Sequence, residues 1–292
     1  MTVGGRATVS AIDVDAAALD VGLGTHPVPF RHGLAADPRF SQERVVALAA
    51  ELPAPWVHAH NARLPLAYGP DVVGDGRNGA EVAATIEQGD DKVGLYVLER
   101  RPEYAEVLEE AIDTVAPVVA AHEGPLTGGH ALLMLASPNT TVPVHFDLHH
   151  SLLFQLAGTK RVTVGSFAPA AAQQRELERL FDAGHGNPNP TTLPTTERQS
   201  FLLGPGDGLY IPPYTFHWVE VGDDVSVGFA CGFFTAVTER THAVQRVNAA
   251  LRRLGLRSRP PGHSLVPDAA KAAALKGASL LRRAVRRAPS PR

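Results

Sequence analysis

The apolar positions of the chain change their period twice. Up to about residue 125 they are mixed. Val45, Val46, Ala49 and Leu52 follow Ser41 at three- and four-residue spacing, which predicts a helix capped by Ser41 and stopped by Pro53. Val107, Leu108, Ala111, Ile112 and Val115 predict a second helix from Glu103 to about Val115, with Pro117 ending or kinking it. From about residue 126 to 235 the runs shorten and turn residues punctuate them. Strands are predicted at Ala131–Ala136, Thr141–His145, Ser151–Ala157, Arg161–Phe167, Gly206–Pro212, Phe216–Val221 and Val225–Phe234. Gly158-Thr159-Lys160 reads as a hairpin connection between two of them. One helical insert, Ala171–Ala183, interrupts the series and runs into a Gly/Asn/Pro/Thr-rich stretch, Gly184–Thr196, long enough for a functional lid. Beyond about Thr238 the pattern is helical again. Val244, Val247, Leu251 and Leu254 form a stripe, Gly255 stands at its end, and a basic Ala/Leu helix is expected over Ala269–Ala284 after a Pro-containing linker.

Many short strands with regular turns argue for a mainly β fold of the sandwich or jelly-roll type. The expected organisation is an N-terminal α/β elaboration (1–125), a jelly-roll core (126–235) and a C-terminal helical segment with a basic tail (236–292).

Composition adds little against this. The 292 residues are 44% hydrophobic and 20% charged, values of an ordinary globular protein. Cys231 is the single cysteine, so no intrachain disulfide forms. No apolar run approaches a membrane span and no leader-like segment opens the chain, so a cytoplasmic protein is the expectation. The Ala, Gly, Pro and Arg bias points to a bacterial source. The net charge of -3 hides an asymmetry: residues 252–292 hold eleven Lys and Arg against one acid, Asp268, or +10, which leaves -13 on the rest. The basic pairs Arg282-Arg283 and Arg286-Arg287 have no aromatic residues among them for base stacking, and nucleic-acid binding is not expected.

The chemistry concentrates in the β zone. His145 and Asp147 end one predicted strand as His-x-Asp, and His217 follows seventy-two positions later after the Pro212-Pro213 turn. Two imidazoles and one carboxylate on one face of an octahedral ion leave three positions open, the ligand set suited to Fe(II) with O₂ and a chelating co-substrate. Lys160 lies fifteen residues after His145, where its ammonium group could face the distal carboxylate of 2-oxoglutarate. Arg161 should face the other way. His149 and His150 are expected to line the entrance or pack near the surface. His58 and His60 have His-x-His spacing, but no carboxylate or thiol stands near them in the sequence, and no metal role is expected of them.

These residues resemble those of the JmjC/cupin-like hydroxylase family, closest to its small protein-hydroxylase branch. The resemblance covers roughly residues 130–235 and rests on Pro143 to Asp147, Leu152 to Arg161, Gly206-Asp207, Ile211 to Pro213, and His217. It implies a double-stranded β-helix in which His145, Asp147 and His217 hold Fe(II) and act as the catalytic set. It implies Lys160 as the anchor of 2-oxoglutarate, with O₂ as the oxidant. Thr141, Ser151, Gln155 and Ser226 are further candidates for the co-substrate pocket, and Tyr210, Tyr214 and Trp218 for substrate contact. The sequence departs from the family on the strand after His217, where Ser226 is the polar candidate and Gly228, Ala230 and Gly232 are small. The activity implied is hydroxylation of an amino-acid side chain in a peptide or protein. A small natural-product intermediate is the next choice, and a non-catalytic cupin-type binding or regulatory module the rival class. The resemblance also implies that the C-terminal helices can build a homodimer. The alternative is that their stripe packs on the chain's own barrel.

Overall fold

The computed structural model describes residues 12–63, 75–167, 170–183, 196–262, 264 and 266–274. The Gly184–Thr196 stretch, apart from its last residue, and most of the basic Ala/Leu helix lie outside them.

Two antiparallel sheets face each other. The larger has eight strands in the order β1 (Ile12–Asp13), β2 (Val28–His32), β10 (Asp207–Ile211), β7 (His150–Ala157), β12 (Ser226–Thr235), β5 (Leu126–Ala136), β4 (Asp91–Leu95), β3 (Val57–Asn61). The smaller has four, β6 (Thr141–His145), β11 (Phe216–Val221), β8 (Lys160–Ser166) and β9 (Thr196–Leu203). The jelly roll expected from the turn spacing is therefore present. The strands of the first zone hydrogen-bond to its outer edges, β4 to β5 and β2 to β10, and so widen the larger sheet instead of standing apart.

Three apolar clusters hold the layers. The outer face of the larger sheet packs on α1 (Ala16–Gly22), α2 (Gln42–Glu51) and α4 (Pro102–Glu123) through residues such as Leu48, Tyr104, Val115, Phe154 and Phe229. A small cluster of Leu153, Val162, Val164, Leu209 and Ile211 lies between the sheets. The outer face of the smaller sheet presents Phe146, Phe216 and Trp218 to α5 (Ala170–Ala183). The chain also forms the short α3 (Gly79–Ala84) and the longer α6 (Ala236–Arg253), and residues 266–274 are helical as well.

Ser41 caps α2 as expected, its hydroxyl accepting from the Arg44 N–H. The helix after Glu103 does not stop at Pro117 but runs to Glu123. Pro117 points to solvent while Val115 and Val119 are buried, so water reaches the freed carbonyl and packing of the apolar face outweighs the lost bond. Strand β9 was not expected from the sequence.

The C-terminal stripe divides. Val244 is buried, Val247 and Leu251 are partly buried, and Leu254 is 75% exposed. Helix α6 docks on α5, with Arg252 donating to the Asp182 carboxylate and to the Glu178 carbonyl. Among the described residues no helix is long and apolar enough to cross a membrane.

Candidate metal centre and co-substrate cavity

The smaller sheet brings the triad together by register. His145 on β6 pairs directly with His217 on β11. The next inward pair is Val142 with Val219, so three residues on β6 answer two on β11, which is a β-bulge. The bulge changes which residues of β6 face inward: Val142 and His145 line the cavity. Thr141 pairs with Glu220 outside it, which corrects the expectation that Thr141 serves the co-substrate pocket. Asp147 follows the strand end. Its main-chain carbonyl accepts from the Tyr214 N–H at 2.7 Å, and Tyr214 holds φ +60 in the turn after Pro212-Pro213. That bond ties the Asp147 backbone to the turn that delivers His217.

The donor atoms of His145, Asp147 and His217 all lie within 4.8 Å of one another. Each imidazole is set by its own backbone: His145 Nδ1 lies 2.8 Å from the Pro143 carbonyl and His217 Nδ1 lies 3.0 Å from that of Thr215. A carbonyl only accepts, so the proton resides on Nδ1 and Nε2 keeps its lone pair. His217 Nε2 stands 3.9 Å from Asp147 Oδ2, a spacing for two groups sharing an ion rather than a hydrogen bond. Burial, followed by the charge of His145, pushes the His217 pKa down to about 4, so the ring is a neutral ligand at physiological pH. Burial alone would raise the Asp147 pKa; the imidazoles of His149, His217, His145 and His130 outweigh it and hold the carboxylate below its ordinary range. Two neutral nitrogens and one carboxylate fit a divalent transition metal.

A cavity of about 370 Å³ opens between the sheets from this triad. Its floor on β12 is Ser226, Gly228, Ala230 and Gly232, flanked by Ala136, Met134, Leu132 and His130 of β5. Lys160 enters from β8 and is 4% exposed. Alternation turns Arg161 outward, as expected. A Cβ at Gly228 would come 2.9 Å from Lys160 Nζ, so the missing side chain is the space the ammonium uses. Lys160 has no hydrogen-bond or ion-pair partner among the described residues, and burial alone brings its pKa down to about 7. A buried cation is costly without an anion, and a dicarboxylate chelating the metal would bring one. The residues present thus fit both groups.

Gln155 holds this end. Its Nε2 donates to the carbonyls of Ala157 and Gly158 and to Ser226 Oγ, bracing the hairpin that aims Lys160. Gly158 sits in that hairpin at φ +65, and a Cβ on it would lie 2.3 Å from the Val225 carbonyl oxygen. Ser151 and Ser226 line the cavity; Gln155 supports its floor.

The three aromatic candidates stand elsewhere. Trp218 alternates away from His217 into the cluster under α5, where Arg198 lies over its ring at 5.4 Å. Tyr210 is fully buried on the other face of β10; its hydroxyl accepts from the Gly24 N–H and lies 2.8 Å from His150 Nδ1. Tyr214 packs beside the α5 cluster and points its hydroxyl at the Thr238 carbonyl. His150, expected to line the entrance or pack near the surface, is instead fully buried between Tyr210 and Glu123. His149 does line the cavity. His130, Lys92 and Tyr96 line it too, and sequence reasoning missed them. The alternation His130, Leu132, Met134, Ala136 was the available signal for His130.

Comparison with known proteins agrees with the resemblance over its own stretch. Residues 127–241 match the JmjC domain model. The Jumonji C domain-containing protein 5 of Drosophila melanogaster is 34% identical over 95 residues, which is 30% of this chain and 23% of that protein, so the match spans under a quarter of the relative's length. Among solved structures, Escherichia coli ribosomal oxygenase YcfD aligns with 15% identity over 94% of this chain and 68% of its own, at a TM-score of 0.49. A structure of YcfD in complex with cobalt and 2-oxoglutarate aligns with 16% identity, 92% and 68% coverage and a TM-score of 0.48.

Proposed function

We propose that the protein is an Fe(II)- and 2-oxoglutarate-dependent oxygenase that hydroxylates an amino-acid side chain in a peptide or protein. One observation carries this reading: a triad with two bared Nε2 atoms shares one cavity with a buried Lys160 that has no partner among the described residues. The match to the JmjC domain model over residues 127–241 supports it.

His145, Asp147 and His217 would hold the iron. Lys160 would meet the distal carboxylate of the co-substrate, with Ser226 and Gln155 keeping that end shaped. Held there with 2-oxoglutarate, the iron would supply oxidative chemistry with O₂, one oxygen atom going into succinate as CO₂ is lost and the other into a C–H bond of the substrate. The chain's share is orientation and exclusion of water. The main-chain carbonyls of Pro143 and Thr215 fix the two imidazole tautomers, the Tyr214 N–H fixes the Asp147 backbone, and Leu132, Met134, Leu153 and Ile211 give the cavity apolar walls. A cavity of about 370 Å³ suits the co-substrate plus one side chain, in keeping with a peptide or protein substrate.

The test is anaerobic reconstitution with Fe(II), proof of bound metal, then O₂ and measurement of succinate from 2-oxoglutarate. Iron-dependent succinate, abolished in Lys160→Ala, is expected. Bound iron with no succinate formed would reject the proposal.

A further inference from the structure

Of the three metal ligands, Asp147 is the one whose aim its own surroundings leave unexplained. His145 and His217 lie in paired strands, and a main-chain carbonyl two residues back fixes each ring. Asp147 stands instead in the crossover 146–149, which carries the chain from the smaller sheet to the larger. Its carboxylate accepts no hydrogen bond among the described residues, so its direction follows the backbone. Phe146 and Leu148 anchor the crossover in the cluster under α5. His149 meets His130 of β5, Nε2 to Nε2, at 3.1 Å. Two further bonds lead away from the segment, one from the Asp147 carbonyl and one from His150, the residue that ends it.

Followed outward, these two bonds meet. The Asp147 carbonyl accepts from the Tyr214 N–H, and the Tyr214 hydroxyl donates at 3.4 Å to the Thr238 carbonyl in the first turn of α6. Thr235 and Thr238 form the capping box of that helix: the Thr238 N–H donates to Thr235 Oγ1 at 3.1 Å, and the Thr235 N–H to Thr238 Oγ1 at 2.7 Å. The Thr235 hydroxyl in turn donates to Glu123 Oε2 at 2.6 Å. The same oxygen lies 3.1 Å from His150 Nε2. On the other side of the ring, His150 Nδ1 lies 2.8 Å from the Tyr210 hydroxyl, which accepts from the Gly24 N–H and so has its own proton to give. Nε2 therefore carries the ring proton towards Glu123. The circuit closes on the segment from which it began. Thr235, Thr238 and His150 are buried, so water does not replace a bond broken there.

Resting on the metal site of the oxygenase reading above, we infer that Tyr214, Thr238, Thr235 and Glu123 are positioning residues for Asp147. The capping box of α6 grips the crossover from both ends and sets where the carboxylate meets the metal. None of the four lines the cavity. Helix α6 supplies no ligand, yet its seat sets the affinity for the metal.

Calorimetric titration of the full chain with Mn(II) tests this, alongside chemical denaturation of each variant. The variants are Thr235→Val, Thr235→Ser, Tyr214→Phe and the double variant Thr235→Val with Tyr214→Phe. Thr127→Val is the control, because Thr127 bonds Glu239 of the same helix from outside the circuit. Thr235→Val should weaken Mn(II) binding by about tenfold, and Tyr214→Phe by about threefold. The double variant should bind no more weakly than Thr235→Val alone, since both changes open one circuit. Thr235→Ser and Thr127→Val should stay within about twofold of the wild type. Unchanged affinity in both Thr235→Val and Tyr214→Phe overturns the inference. So does an equal loss in Thr127→Val or Thr235→Ser, which would mark a general loosening of α6, and so do additive losses in the double variant. If Thr235→Val does not fold, Tyr214→Phe against Thr127→Val decides in the same way. A wild-type chain that binds no Mn(II) would strike the oxygenase reading instead, so the two failures are told apart.

Discussion

Replacing Lys160 by Met should make the metal-free protein more stable while destroying its response to 2-oxoglutarate. Met keeps most of the volume of the lysine stem and removes the charge. The magnitude follows from the drop of the Lys160 pKa from its ordinary 10.5 to about 7, caused by burial with no compensating anion. The unfolded chain holds this proton up to about pH 10.5, whereas the folded chain releases it near pH 7. Between those values the unfolded state binds more protons, so stability rises with pH across the window. The cost of burying Lys160 is therefore fully present below about pH 7 and gone above about pH 10.5. At ~1.4 kcal/mol per pKa unit it amounts to at most about 5 kcal/mol at low pH and about 4 kcal/mol near pH 7.5. Urea titrations of both proteins without metal, at several pH values from about 6 to 10.5, read the difference. Lys160→Met should be the more stable protein at neutral pH, with the gap closing towards the alkaline end. In the metal-loaded wild type, Lys160 should take up a proton when 2-oxoglutarate binds above neutrality, visible as a buffer-dependent binding enthalpy. An equal or lower stability of Lys160→Met at neutral pH, or a gap that does not change with pH, would refute the reasoning.

Asp147→Ala should lower the affinity for Fe(II) or Mn(II) by more than about tenfold and abolish succinate formation, because it removes the sole anionic ligand of the triad; metal titration by calorimetry decides. Gly228→Ala should raise the concentration of 2-oxoglutarate needed for half-saturation by roughly tenfold with metal affinity unchanged, since the new Cβ would come 2.9 Å from Lys160 Nζ; unaltered co-substrate affinity would count against the placement of that ammonium. His150→Leu should cost about 2–4 kcal/mol of stability, because the Glu123 carboxylate and the Tyr210 hydroxyl lose a fully buried partner; chemical denaturation measures it. Pro117→Ala should stabilise by about 1–3 kcal/mol by restoring a helix bond at an exposed position, and an unchanged denaturation midpoint would show that α4 had already relaxed around the ring.

The triad was legible because its parts are local. His-x-Asp at a strand end and a histidine after a Pro-Pro turn are written in a few neighbouring letters, and strand register then places His217 opposite His145. Thr141 was misplaced for a reason no spacing shows: the bulge on β6 breaks the alternation between Val142 and His145. Strand β9 escaped notice because it lies at the edge of the smaller sheet, where Arg198, Gln199 and Ser200 face solvent and no apolar alternation develops before Phe201. The pairing of His130 with His149 was illegible for another reason. The two come from opposite flanks of β12, a strand about eighty residues further along the chain, and meet only over its Gly232.

The floor of β12 has a consequence for altering the protein. Its inward positions 226, 228, 230 and 232 are Ser, Gly, Ala and Gly, so the length of the cavity is set by residues that are nearly absent. They behave as marks on a ruler, about 6.7 Å apart. A larger side chain at one mark would close the cavity there, at Gly228 against the co-substrate and at Gly232 against the imidazole pair. Reach into the barrel can therefore be reset in fixed steps from a single strand, with the metal ligands on the other sheet left where they are.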